Sequence, residues 1–302
     1  MKITRIAAID IGSNSLRLLI TNIIYSEDYT HYKKVSITRL PVRLGKDVFS
    51  SGEISKKSGK RLVDSMRAFG AIMRVNDIED YRACATSAMR ESKNGKYWLK
   101  EIKKETGLDI EIIDGEEEAR LVFKAKLFDK IQPSEKNLLF VDVGGGSTEL
   151  TLFQDHQPVL SKSFQLGTVR ILLGGKQSEN WSDLKSWISD HVNVLNVNLA
   201  IIGSGGNINK VHKMSNKSID EPLSLNYINH LHGVLTKMDH PQRITSLGLN
   251  MDRADVIIPA LEIFQKIMEL SGAKKVYVPK IGLSDGIVRD LYRRKFKLIR
   301  EL

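Results

Sequence analysis

One seven-residue pattern occurs twice in this chain. Ile9-Asp10-Ile11-Gly12-Ser13-Asn14-Ser15 is matched by Val141-Asp142-Val143-Gly144-Gly145-Gly146-Ser147, with Asp, Gly and Ser in corresponding places and the second copy 132 residues downstream. Each copy is an apolar run that ends in Asp, turns on glycine and continues into a second apolar segment: Leu16, Leu18, Leu19 and Ile20 in the first, Leu150 and Leu152 in the second. That pattern is a strand, a tight turn and a strand. The spacing is too long for a solenoid unit, so it implies a duplicated domain whose two hairpins face each other across a cleft. The 302 residues leave room for two domains of about 150 residues each.

The remaining pattern is that of an α/β protein. A third strand is expected at 30–41, a helix at 55–75 from the spacing of Leu62, Met66, Phe69, Ile72 and Met73, and a short buried strand at 81–85. A helix at 94–105, a strand at Ile110–Ile113 and a helix at Glu116–Leu127 follow. The last of these marks the junction, giving an N-terminal domain of 1–117 and a C-terminal domain of 118–302, with the closing segment 287–302 able to pack back onto the first. After the repeat come a helix near 180–195, a strand at 199–203, a Gly-rich turn at 203–206, helices near 223–238 and 252–271, a strand at 275–278 and a helix at 284–300.

Lys and Arg outnumber Asp and Glu by 46 to 36, a net charge of +10 that favours a polyanionic ligand. Nucleic acid, a membrane surface and polyphosphate satisfy that condition equally. Cys84 is the only cysteine and the seven histidines are scattered, which excludes an internal disulfide and disfavours a zinc site. The N-terminus reads as neither a signal peptide nor a membrane helix, and no apolar stretch reaches the roughly 18 residues a span needs. A cytoplasmic protein with no membrane segment is expected.

Gly12, Ser13, Asn14 and Ser15 form one candidate phosphate loop; Gly144, Gly145, Gly146, Ser147 and Thr148 form the other. Without bulky side chains, convergent amide dipoles suit phosphate oxygens. A tight hairpin turn alone would use the same residues; duplication behind an Asp favours phosphate. No Gly-x-x-x-x-Gly-Lys is present at either turn, which disfavours a Walker-type ATPase. Asp10 and Asp142 each close an apolar strand, where an ionised carboxylate is costly unless paired or bound to a hard cation such as Mg²⁺. Capping of the adjacent turn is the other reading. Arg17, Arg43 and Arg90 are candidate phosphate partners, Arg90 foremost because it stands among hydroxyl residues in Thr86-Ser87-Ala88-Met89-Arg90-Glu91-Ser92. The acidic run Glu116-Glu117-Glu118 needs no function beyond complementing a helix dipole. Cys84 and the Trp181 and Trp187 pair fit core positions, and the basic run 293–297 fits a solvated helix face.

Taken together, Ala8-Ile9-Asp10-Ile11-Gly12-Ser13-Asn14-Ser15-x-Arg17-Leu18, Ala85-Thr86-Ser87-Ala88-x-Arg90, Glu117-Glu118-Ala119-Arg120-Leu121 and Asp142-Val143-Gly144-Gly145-Gly146-Ser147-Thr148-Glu149 resemble the exopolyphosphatase and guanosine pentaphosphate phosphatase family. Arg43-Leu44-Gly45, Leu166-Gly167-Thr168-Val169-Arg170, Arg253-Ala254-Asp255 and Gly282-Leu283-x-x-Gly286 extend the likeness over about residues 5–290. The resemblance implies an actin-like fold of two ribonuclease-H-like domains with an interdomain active-site cleft. It also implies that Glu118 is the general base, that Asp142 and Glu149 serve Mg²⁺ and the attacking water, beside the Asp10 already read as a candidate metal ligand, and that Arg90 grips phosphate.

The activity implied is Mg²⁺-dependent release of terminal orthophosphate from inorganic polyphosphate. Alternatives are 5′-phosphate hydrolysis of guanosine pentaphosphate or binding of that nucleotide or its tetraphosphate, a non-hydrolytic alarmone or polyphosphate sensor, and a kinase of the same fold. A homodimer with no specific nucleic-acid partner is expected. Two departures weaken the nucleotide reading: Gly203-Ser204-Gly205-Gly206-Asn207 stands where the family has Gly followed by Thr, and Asp285 replaces a common Glu. Longer members carry a C-terminal helical module that this chain does not show, which points to shorter polyphosphate substrates.

Overall fold

The computed structural model describes residues 1–26, 29–125, 131, 133–174, 178–193 and 198–297. The chain divides into two compact units, one formed by Met1–Lys126 with Gly282–Leu302 and the other by Leu127–Ile281. The sequence pattern put the junction at 117/118, with 287–302 able to pack back onto the first domain; in the structure the helix carrying Glu117 and Glu118 and the closing helix both belong with the first sheet.

In the first unit, β1 (Lys2–Ile11), β2 (Leu16–Tyr25) and β3 (Thr30–Leu40) form an antiparallel meander. Helices α1 (Leu44–Ser51) and α2 (Lys56–Val75) lead to β4 (Asp80–Ala85), which pairs parallel with β1. Then follow α3 (Ser87–Glu91), α4 (Gly95–Thr106), β5 (Glu111–Ile112) and α5 (Gly115–Lys124), giving the strand order β3-β2-β1-β4-β5. Alternation along the strands separates two faces. Ala7, Ile9, Ile11, Leu16, Leu18, Ile20, Ala83 and Ala85 face the apolar stripe of α2 (Leu62, Met66, Phe69, Met73), in one buried cluster.

The second unit repeats this plan. β6 (Asn137–Val143), β7 (Thr148–Gln154) and β8 (Gln157–Phe164) form an antiparallel meander, and after α6 (Thr168–Leu172) and α7 (Ser178–His191) the strand β9 (Leu199–Ser204) pairs parallel with β6. α8 (Gly206–Met214), β10 (Leu223–Ser224), α9 (Leu225–Lys237), α10 (His240–Leu247), α11 (Met251–Ala254), α12 (Ile257–Ser271) and β11 (Lys275–Tyr277) complete it. The order β10-β11-β9-β6-β7-β8 is that of the first sheet with β10 added at one edge. Each unit therefore has the ribonuclease-H-like arrangement that the family resemblance implied. Among these helices the pattern missed α6, α8 and α10; α10 buries no residue, and its signal is the Asp239 and Gln242 capping box with Pro241 in the first turn. The ends of the expected helices at 126–127, 194–195 and 298–300 fall outside the described residues.

The chain closes with α13 (Leu283–Tyr292), part of the first unit. On the polar side of β4, Arg82 Nη1 donates to Asp290 Oδ2 of α13 at 2.6 Å, and Arg82 Nη2 reaches Glu111 at 2.8 Å and Glu117 of α5 at 3.2 Å. Arg294 Nε lies 2.7 Å from the same Asp290, and Lys124 Nζ donates to it. Asp290 is fully buried and Arg82 nearly so. α13 crosses α5 at Gly286, where a Cβ would stand 1.8 Å from the Leu121 carbonyl oxygen. A Gly286→Ala variant is expected to lose about 3 kcal/mol of stability in urea unfolding, the upper end of overpacking costs. A loss below about 0.5 kcal/mol would show that the crossing tolerates a methyl group.

Candidate active site

Antiparallel register fixes what lies beside each strand-end aspartate, because directly opposed residues share a face. In the first unit Asp10 lies opposite Arg17, Arg17 opposite Arg39, and Cys84 of β4 flanks Asp10 on the other side. In the second, Asp142 lies opposite Glu149, Glu149 opposite Ser163, and Ser204 of β9 flanks Asp142. The duplicated rows thus differ in charge. One sets arginines beside its aspartate; the other sets a second carboxylate beside it.

Asp10 is buried, with Arg17 Nη1 3.4 Å from its Oδ2. Burial pushes the Asp10 carboxyl above its usual range, and the Arg17 charge pulls partly the other way. Beside it, burial drives the Cys84 thiol up to about 12, so Cys84 is an inert core residue. Glu149 is buried and accepts a hydrogen bond from Ser163 Oγ at 2.9 Å.

Both glycine turns are braced from their carbonyl side. In the first, Gly12 N–H closes the turn on Ser15 C=O at 3.2 Å, while Ser13 and Asn14 C=O accept from the N–H groups of Gly45 (2.7 Å) and Arg43 (3.1 Å). In the second, Gly144 N–H closes on Ser147 C=O at 3.0 Å; Gly144 C=O accepts from Thr168 N–H at 3.0 Å and Gly145 C=O from Val169 N–H at 2.9 Å. Arg170 Nε holds Gly146 C=O at 2.8 Å. In a trans peptide the C=O and the following N–H point in opposite directions. Pinning these carbonyls back therefore turns the N–H groups of Asn14 and Ser15, and of Gly145, Gly146 and Ser147, to the opposite side. Consecutive amides so arranged make an anion-binding concavity.

The braces explain nearby residues. Gly167 packs so closely that a Cβ would lie 2.3 Å from Gly146 C and 2.4 Å from Gly145 O. Thr148 Oγ1 donates to Leu166 C=O, which anchors the strand leaving the second turn. Arg43 sits at φ 61°, in the left-handed region, as it turns the chain into α1; such strain, about 1–2 kcal/mol for a side chain with a Cβ, concentrates at functional sites. Ser13 Oγ shares a 2.8 Å hydrogen bond with Ser87 Oγ. Arg90 Nη1 donates to Ile113 C=O at 2.7 Å, pinning the segment that enters α5. Asp114 caps that helix by accepting from Glu117 N–H at 2.8 Å. Glu118 follows in its first turn, half-buried, with Oε2 shielded from solvent. Its neighbour Glu117 is a different kind of residue, held low by the Arg120 hydrogen bond and by Arg82.

Of the residues singled out in the sequence, Asp10 joins Arg17, and Asp142 joins Glu149, as cross-strand partners; Arg43 braces the first turn through its backbone, and one arm of Arg90 is taken by the backbone before α5. The sequence pattern missed the bracing roles of Gly45, Ser87, Ser163, Gly167 and Arg170. Gly45, Ser87, Gly167 and Arg170 stood in motifs, but their partners are known only once the chain folds.

This fold and these turns define an α/β protein of the actin-like class with duplicated phosphate-type hairpins. The chain belongs to the Ppx/GppA phosphatase family, whose model matches residues 23–295 and whose members hydrolyse phosphoanhydrides. It is similar to the bifunctional 3-dehydroquinate synthase/phosphatase of Fusobacterium nucleatum, at 29% identity over 90% of this chain; the chain spans 44% of that relative's length. It is also similar to exopolyphosphatase 1 of Mycobacterium tuberculosis, at 24% identity over 94% of this chain and 87% of the relative. Among solved structures, an exopolyphosphatase from Cytophaga hutchinsonii shares the fold with a TM-score of 0.81 at 24% identity, covering 95% of this chain and 97% of the other. No helix among the described residues is long and apolar enough to cross a membrane.

A Gly167→Ala substitution is expected to displace the second turn and lower phosphatase activity about 100-fold, the scale of losing an oriented backbone donor. Steady-state rates at saturating substrate check this, and an unchanged kcat would show that the turn carries no reacting phosphate.

Proposed function

We propose that this chain is an exopolyphosphatase, releasing orthophosphate from the end of inorganic polyphosphate by attack of water. The observation that carries the reading is the pair of carbonyl-braced glycine turns, each set beside a strand-end aspartate, in a chain of the Ppx/GppA family. Phosphoanhydride hydrolysis asks for positioned water and charge neutralisation, with little covalent work by the protein. The turn amides meet phosphate oxygens. Arg17 and the remaining donors of Arg90 add positive charge beside them. Glu118 orients the attacking water and takes its proton as the water oxygen bonds to the terminal phosphorus. The bond from that phosphorus to the bridging oxygen breaks, and the chain leaves one phosphate shorter.

The facing carboxylates of Asp142 and Glu149 suit Mg²⁺. Two acids directly opposed on one sheet face repel unless a cation or a proton lies between them. Mg²⁺ is usually held by one or two carboxylates together with phosphate and water, and among the described residues no cluster of three or more His, Cys, Asp or Glu is placed for a metal. When bound, Mg²⁺ supplies neutralisation of phosphate charge.

Guanosine pentaphosphate hydrolysis requires the same chemistry. Polyphosphate is favoured by the surplus of 46 basic over 36 acidic residues and by likeness to a named exopolyphosphatase along 87% of that relative's length. Purified protein with Mg²⁺ is expected to release orthophosphate from polyphosphate faster than from guanosine pentaphosphate, and to stop when EDTA is added. A dominant rate on the nucleotide would reverse the order. Glu118→Gln is expected to lower kcat about 100-fold or more with KM changed less than about threefold; full activity in a folded E118Q protein would remove Glu118 as the base.

A further inference from the structure

The surplus of positive charge is concentrated on two helices. Residues 56–75 and 93–106, which hold α2 and α4, carry eleven Lys and Arg against three Asp and Glu, a net +8 out of the chain's +10. All eleven basic residues are exposed. The two helices pack on the same side of the first sheet, where Leu62, Trp98 and Ile102 share one buried cluster. Trp98 lies so close to Gly59 that a Cβ there would stand 2.0 Å from its ring.

Helix stability does not account for this pattern. Like charges four residues apart in a helix repel, yet Lys96, Lys100 and Lys104 follow at that spacing on α4, away from the buried Gly95, Trp98 and Ile102. A lysine in the first turn opposes the helix dipole, yet Lys56, Lys57 and Lys96 stand in the first turns of α2 and α4, where neither helix has an acid. The three acids do not neutralise the row. Arg67 takes Asp64 at 2.8 Å and Glu105 at 2.5 Å, and Glu101 lines the groove between the helices with Lys56 and Lys60. Among the described residues no ion pair or side-chain hydrogen bond engages Lys96, Lys100 or Lys104. The row also begins near the first glycine turn. Gly45 N–H holds Ser13 C=O, α1 runs from there to Gly52, and Gly52 C=O accepts from Lys93 N–H at 3.0 Å. The eight residues of α1 put the start of α4 about 12 Å from the turn. The exposed face of α4 adds one aromatic, Tyr97, and no large aliphatic side chain. A membrane-surface helix needs an apolar face, and a single-strand nucleic-acid site needs several stacking rings. A polyanion without bases needs neither.

We propose that Lys96, Lys100 and Lys104 form a second binding surface for long-chain inorganic polyphosphate, holding the part of the chain that extends beyond the end seated at the first glycine turn. This rests on the polyphosphate reading for the identity of the natural ligand. Its chemistry, ammonium groups about 6 Å apart along one helix face meeting successive phosphates, can be tested without turnover. Chains too short to leave the turn gain nothing from it, so the surface favours long substrates over the short ones expected from the sequence.

Binding of long-chain sodium polyphosphate, sodium tripolyphosphate and oligo(dT) is measured by calorimetry in EDTA for wild type and two triple variants. One carries Lys96→Gln, Lys100→Gln and Lys104→Gln. The other carries Lys213→Gln, Lys217→Gln and Lys237→Gln, three exposed lysines of the second unit, and removes the same charge elsewhere. The α4 variant is expected to bind long-chain polyphosphate about 10-fold more weakly, the scale of losing three exposed ion pairs, with a shallower dependence on NaCl. It is expected to bind tripolyphosphate within about twofold of wild type, the range left to screened long-range charge, and the second-unit variant is expected to match wild type throughout. Should the α4 variant not fold, K100Q against K213Q decides, with about a twofold loss expected in K100Q alone. Equal long-chain affinities in the two variants would overturn the assignment, as would an equal loss for tripolyphosphate or no long-chain binding by wild type. Tighter binding of oligo(dT) than of polyphosphate through the same lysines would also overturn it, making the surface a nucleic-acid site. Binding that depends on these lysines, in a wild-type protein that hydrolyses no polyphosphate, would leave this assignment standing and remove the proposed activity.

Discussion

The ion cluster around Arg82 and Asp290 is the constraint on which the first unit depends. Two charges buried this fully are tolerated only when each keeps its partners; removing one partner from such a pair typically costs about 3–5 kcal/mol. Asp290 is met by Arg82, Lys124 and Arg294, and Arg82 by Glu111, Glu117 and Asp290. The cluster joins β4, β5, α5 and α13, elements separated by up to 208 residues in sequence. Because α5 carries Glu118, the same contacts that fix the closing helix fix the candidate base.

The two units show how one hairpin design is turned to two electrostatic ends. Backbone features are shared: a strand ending in Asp, a turn closed by a glycine N–H, and carbonyls held back by a following segment. The difference lies in side chains. Arg17 and Arg39 make the first row cationic, whereas Glu149 and Ser163 make the second one acidic. Duplication followed by divergence at two positions per row is sufficient to give the two hairpins opposite electrostatic character.

Much of this was legible in the sequence because the informative signals were local. The repeat revealed duplication, alternation revealed the meanders, and glycine beside Asp marked the turns. Glu118 was not legible from physics alone, since three consecutive acids at a helix start satisfy the helix dipole whatever else they do; only the family likeness singled it out. Where the first unit ends was not legible for a related reason. Gly286 and Asp290 read as an ordinary helix until the Leu121 carbonyl and Arg82 appear beside them.

The sequence by itself determined the strand and turn chemistry, the duplication and the surplus of positive charge, since each depends on near neighbours or on composition. Only the tertiary structure decided which helices belong to which sheet, that Arg17 and Arg39 stand side by side, and that Asp142 faces Glu149. Those facts follow from strand register and from buried ion pairing between distant segments, and no local pattern of residue types encodes which partner a strand or a charge will find.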